Sequence, residues 1–130
     1  MSVLVGCGDE LADFRRNELR PLEQRADEQK AQLSTTLRTA RLGDRGDARA
    51  LEQQSRGLEA TFAELERLEP PGEFEETYAR YVAANRKFLA ELRTFIDALK
   101  EGNEQALRPA SRRAQEAVGA AQRAILPLKE

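Results

Sequence analysis

Apolar residues recur at helical spacing along most of this chain, and most densely between Gly72 and Lys100. There Phe74, Tyr78, Tyr81, Phe88, Leu92, Phe95 and Leu99 follow one another in steps of four and three, with Asn85 completing the series. Alternating fours and threes place side chains along one helical seam. A second row, Val82, Leu89 and Ile96, runs beside it and widens the apolar stripe. No other segment is as apolar, so the other helices are expected to pack around this one.

The rest of the chain divides at its prolines and glycines. Leu11, Phe14, Leu22, Ala26, Leu33, Leu37 and Ala40 form a weaker helical face. It predicts a helix over about 9–42, kinked or restarted at Pro21, where a ring replaces a backbone donor. Residues 9–20 then read as a lead-in, part spacer and part lid. Gly43 suits the helix C-cap, and Asp47 the N-cap of the next helix. The two carboxylates of the 43–47 turn lack the alternating ligands and closing Glu of a calcium loop, so no metal site is expected there. Leu51, Leu58 and Leu65, with Phe62 and Leu68, predict a second helix over 48–69. Pro70-Pro71-Gly72 ends it. The third helix, 73–100, starts with Glu73, Glu75 and Glu76 at the positive end of its dipole. Glu101-Gly102-Asn103 combines a stop and a cap. The fourth helix, 104–126, turns Leu107, Ala110, Ala114, Ala117, Ala121 and Ile125 inward, small residues that admit the aromatic side chains of the third. Pro109 should kink it or mark its true start, and Pro127 should end it.

Four helices joined by short turns predict an all-α, up-down-up-down antiparallel four-helix bundle. It would form a single domain over 9–130, with residues 1–8 standing apart. The N-terminus, the Pro70-Pro71 turn and the C-terminus would share one end, and the 43–47 and 101–103 turns the other. The seam spacing is that of a coiled coil, so a monomer and a homo-oligomer are both compatible with it.

Composition narrows the chemistry. The chain has 130 residues, 40% hydrophobic and 34% charged, enough for one domain with a real core. A net charge of −2 gives no reason to expect nucleic-acid binding. There is no His, which removes Ser-His-Asp and Cys-His relays, HExxH zinc sites, His-ligated haem and the Glu-x-x-His di-iron motif. The single Cys, Cys7, excludes an intrachain disulfide. With no Gly-rich phosphate loop either, the expectation is a protein that is not an enzyme and holds no cofactor.

Leu4-Val5-Gly6-Cys7 resembles a bacterial lipobox: a branched apolar residue, a small or branched residue, Gly or Ala, then Cys. Polar Gly8-Asp9-Glu10 follows, as in the tether of a mature lipoprotein. The resemblance implies lipidation of Cys7, removal of the residues before it, and a membrane-anchored, extracytoplasmic location. Val3 to Val5 fall short of the apolar core of a secretory signal. The expectation is therefore that Met1 is an internal methionine and that residues 1–8 are a truncated signal peptide. The wider layout is similar to small helical lipoproteins of high-GC Gram-positive bacteria, many uncharacterised. Leu65 to Gly72, the aromatic helix that follows and the Gly102-Asn103 turn carry that similarity.

Tyr78, Tyr81 and Asn85 are the candidate site residues. A buried amide costs stability unless it is partnered. Asn85 therefore reads either as a register-setting polar residue in the seam or, with the two phenols, as the polar lining of a small-ligand pocket. Arg108, Arg112, Arg113 and Arg123 read as a solvated face pairing with nearby Glu. The leading functional expectation is a lipid-anchored bundle that binds an unknown protein or small molecule, or is structural, at the cell envelope. The alternatives are a cytosolic helical oligomer, whose apolar stripe would be buried between chains, and a carrier with its pocket near Tyr78, Tyr81 and Asn85.

Overall fold

A computed structural model describes residues 10–129. It is an all-helical four-helix bundle, with α1 over Arg20–Thr39, α2 over Arg45–Arg67, α3 over Glu75–Glu101 and α4 over Glu104–Lys129. α1 continues from a lead-in that is already helical at residue 10, the first described residue. A single 3₁₀ turn, Gly72–Phe74, introduces α3.

The two-ended arrangement is visible in long-range hydrogen bonds. At one end the Gly43 N–H donates to the Leu99 carbonyl at 2.7 Å, joining the α1–α2 turn to the end of α3. At the other end Arg15 Nε donates to the Leu128 carbonyl at 2.6 Å, joining the lead-in to the end of α4. At that same end the Tyr78 hydroxyl donates to the Leu65 carbonyl at 2.5 Å, beside the Pro70-Pro71 turn. The same carbonyl also accepts from the Leu68 N–H at 3.2 Å, so two donors close the end of α2.

Pro21 acts differently from the expected kink. The six residues before α1, Phe14–Leu19, form a π-helical stretch, in which the Arg20 N–H bonds back to Arg15. Pro21 has no N–H to donate to Asn17, and its ring would crowd that carbonyl. The widened register accommodates this without interrupting the rod. It also changes which residues share a face: Phe14 and Leu19, five apart, are both buried. Phe14 meets Tyr78 edge-on, with ring centroids 5.8 Å apart. The lead-in is thus part of the core rather than a spacer.

Helix ends show further differences from the sequence reading. α1 stops at Thr39, because Ala40 is extended. Gly43 does adopt positive φ (81°), but within the turn. Asp44, not Asp47, caps α2, accepting from the Asp47 N–H at 2.9 Å. Asp47 faces back and accepts from the Arg41 N–H at 2.8 Å. α2 therefore starts three residues early and ends at Arg67. At the far end α4 runs through Pro127 to Lys129, and Pro109 lies inside the helix rather than at its start. The Gly102-Asn103 junction is as expected: Gly102 is left-handed (φ 73°), and Asn103 Oδ1 accepts from the Ala106 N–H at 3.3 Å.

The stripe on α3 is buried within the single chain. Tyr78, Tyr81, Asn85, Phe88, Leu92, Ile96, Ala98 and Leu99 are its buried residues. Phe95 is only half-buried, and Ile96 takes its place. Phe95 borders the open side of the bundle between α1 and α4, and Leu99, one turn on in the same seam, is buried again. Phe74, in the 3₁₀ turn, is also half-buried. α4 turns in Ala110, Ala114, Ala117, Ala121, Ile125 and Leu128, and its contact with α3 is the most extensive in the bundle. Ion pairs rim the helices, among them Arg25–Glu64 at 2.7 Å, Arg93–Glu59 at 3.2 Å and Arg113–Glu91. These exposed pairs contribute little beyond register, typically under ~1 kcal/mol each.

Gly102→Ala should lower stability by about 1–2 kcal/mol, because the penalty lies in its left-handed backbone and not in space. An added Cβ there would touch nothing within 4 Å, and the same holds at Gly72, whose φ is ordinary. Gly72→Ala should therefore be neutral or slightly stabilising in the same urea titration.

Candidate functional site

Tyr78, Tyr81 and Asn85 do come together. The two rings lie 5.5 Å apart, tilted at 51°, and the Asn85 amide lies near enough to the Tyr81 phenol to favour its ionised form. Their polar tips are used internally, however. Tyr78 is committed to the Leu65 carbonyl, and Tyr81 is packed against Tyr78 with the Asn85 amide as its polar neighbour. Asn85 borders a cleft of about 140 Å³ between α2 and α3, beside Phe62, Val82 and Leu89, and neither tyrosine lines it. The trio is a satisfied core cluster. Burial is the main cause pushing both phenols above their usual range, reinforced for Tyr78 by Tyr81 and for Tyr81 by Glu23.

A more apolar opening lies elsewhere, between α1 and α4. Of the four neighbouring helix pairs this is by far the least closely packed, whereas α1–α2, α2–α3 and α3–α4 are all in close contact. The gap is a groove of about 520 Å³. Phe88, Leu92 and Phe95 of α3 form its floor. Leu33 and Leu37 line one wall, and Ala114, Val118 and Gly119 the other. Its polar lining is small and neutral, Ser34, Ser111, Gln115 and Gln122, with one exception.

That exception is Lys30. It follows Ala26 by one turn and precedes Leu33, so it occupies a place in the inward row of α1 that an apolar residue would normally hold. Its ammonium lies 5.7 Å from the centroid of the Phe62 ring, so it reaches toward the core. A cation over an aromatic face is attracted by the ring quadrupole. Lys30 makes no ion pair within 4 Å among the described residues. Burial lowers its pKa, and the charges of Asp27 and Glu23 partly oppose that. Glu23 is itself raised by burial and lies in a separate polar cleft with Arg15, Arg20, Asp27 and Lys129.

The sequence reading did not single out Lys30 or the groove. The available signal was a cation at i+4 from Ala26 inside a row of apolar positions. Of the arginines on α4, Arg113 pairs with Glu91 as expected, whereas Arg108 and Arg112 border an open cleft with Phe95 and Glu104. Among the described residues no group of three or more Cys, Asp or Glu is placed to hold a metal ion. None of the described helices is long and apolar enough to cross a membrane. Cys7 and the lipobox-like residues lie outside the described residues. No family model, curated protein or solved structure matches the chain.

The two buried phenols predict an alkaline limit to stability. Below pH 10 both are neutral whether the chain is folded or not. Above it the unfolded chain ionises first and holds fewer protons than the folded one. Stability then falls as pH rises, by up to about 1.4 kcal/mol per pH unit for each tyrosine. Lys30, with its lowered pKa, works in the opposite sense. Urea titrations from pH 8 to 11 should therefore show a downturn in wild type that is absent from the Tyr78→Phe/Tyr81→Phe double variant.

Proposed function

We propose that this chain is a lipid-anchored, extracytoplasmic helical bundle that binds a small molecule at the cell envelope and is not an enzyme. Cys7 would be the point of lipidation. The observation that carries the anchoring half is Leu4-Val5-Gly6-Cys7 followed by a polar Gly8-Asp9-Glu10 tether. The described helical body reaches residue 10 at the end that also holds Leu128 and the Pro70-Pro71 turn. An anchor at Cys7 would hold that end near the bilayer and leave the Gly43 and Gly102 turns facing outward. Two or three acyl chains suffice for stable anchoring, where one does not.

The binding half rests on the groove between α1 and α4, since concave, largely apolar sites with a few placed polar groups are the usual form of small-molecule sites. The carrier reading thus keeps its support with the pocket moved from Tyr78, Tyr81 and Asn85 to this groove. The reading as a cytosolic oligomer relied on an apolar stripe exposed in the monomer, and the α3 stripe is covered within one chain.

In its native host, the protein should fractionate with membranes, and mass spectrometry should find diacylglycerol on Cys7. Cys7→Ser should move most of it to the soluble fraction. Native protein that retains Met1 and carries an unmodified Cys7 would refute the anchor.

A further inference from the structure

The geometry points to the α1–α4 groove as a binding site for a single-tailed amphiphilic anion of the fatty-acid class, its tail along Phe88, Leu92 and Val118 and its carboxylate at Lys30. This deepens the binding half of the proposed function and is independent of whether Cys7 carries lipid.

Three features select that ligand. The first is shape. On α4 the lining runs from Ser111 to Gln122, which at 1.5 Å per residue is a trough about 16 Å long. An elongated tail fits it better than a compact ring system. The second is lining chemistry. Aliphatic and aromatic side chains dominate, and the hydroxyls and amides along the walls are too few to satisfy a sugar or nucleotide. The third is charge. Acidic residues outnumber basic ones in the chain, 23 to 21, yet the groove is lined by one lysine and no carboxylate. The charges that act on Lys30 are Asp27 and Glu23 on its own helix and Lys129 from α4, and none of these lines the groove. An ammonium held at an apolar surface without an ion-pair partner favours an anionic head group, and a charge-assisted hydrogen bond there is stronger than its counterpart in water.

Direction is also fixed. α1 runs from the Arg15–Leu128 end toward Gly43, and helical side chains lean toward their own N-terminus. Lys30 and Gln122 therefore mark one end of the trough, and Leu37, Phe95 and Ser111 the other. The head group would lie toward the end at which residue 10 begins, and the tail would point toward the Gly43 and Gly102 turns.

The test uses the full chain with laurate and dodecanol as probes, laurate below its critical micelle concentration and dodecanol below its solubility limit. Displacement of cis-parinaric acid, a fluorescent polyene carboxylate, gives the readout. Wild type should bind laurate about tenfold or more tighter than dodecanol. Lys30→Met should bind the two alike, and Lys30→Arg should restore the preference. Ser34→Trp on the exposed rim and Val118→Trp on the wall should weaken both probes about tenfold or more. A circular dichroism melt confirms folding of each variant, and if Val118→Trp does not fold, Ser34→Trp carries the test. Equal affinity for acid and alcohol in wild type would overturn the head-group assignment. Absence of displaceable binding by wild type would overturn the site altogether, as would a stable dimer in sedimentation that Ser34→Trp dissociates, since a second copy would then cover the groove. Diacylglycerol on Cys7 is scored separately, so failure of the groove and failure of the anchor are distinguishable.

Discussion

The close approach of α4 to α3 governs this bundle. Ala110, Ala114, Ala117 and Ala121 give α4 a nearly flat inner face, and α3 sets Phe88 and Leu92 beside Ala114. A methyl side chain leaves the partner helix free to come near, and near packing brings many weak dispersion contacts into range at once. Residues of the same interface differ in kind across it, large on α3 and small on α4. That asymmetry sets where α4 lies. On the other flank of α4, α1 carries Leu33, Leu37 and Lys30, and contact across that gap is sparse. The groove is thus a consequence of the strongest interface rather than a defect in the weakest one.

The same interface explains why the edge between α1 and α4 is clasped at one end and open along its length. The Arg15–Leu128 bond holds the lead-in to α4 where Phe14, Leu19 and Leu128 are all buried. Higher up, no comparable bond joins α1 to α4 among the described residues. α1 is held from the other side instead, by Arg25–Glu64 and by the Thr61 hydroxyl, which donates to Gln29 Oε1 at 2.7 Å. A helix tied to α2 and only sparsely in contact with α4 forms the open wall of the groove, and a ligand between them would add contacts without breaking any the bundle already has. Binding that does not compete with native packing avoids the cost of opening a core.

The fold was legible in the chain because its signals are local and mutually consistent. The four-three steps of α3, the alanine face of α4, Pro70-Pro71-Gly72 and Gly102-Asn103 each point to the same architecture. Errors fell where two local rules compete. Asp44 and Asp47 are both good caps, and only the backbone geometry selects Asp44. Pro21 and Pro127 read as breaks, yet a π-helical register absorbs the first and the last turn of α4 tolerates the second. Leu19 was missed because the π-helical stretch alters the period that periodicity reading assumes.

The candidate site was much less legible, for a different reason. Periodicity tells which side of a helix faces inward, but the width of a gap between two helices depends on their placement, which is set by a third. Tyr78, Tyr81 and Asn85 drew notice because polar atoms in an apolar seam are unusual, and they proved to be packed together inside the fold, with the Tyr78 hydroxyl bonded to the Leu65 carbonyl. Lys30 has the same anomaly with the opposite outcome. Lysine is common on helix surfaces, so its appearance in an inward row is easily overlooked, yet its ammonium has an aromatic ring beside it and no carboxylate in an ion pair among the described residues. A core polar group that finds its partner within the fold is accounted for by stability. One that does not retains unused hydrogen-bonding capacity at a solvent-accessible apolar wall, and that residual capacity is what a ligand can complete.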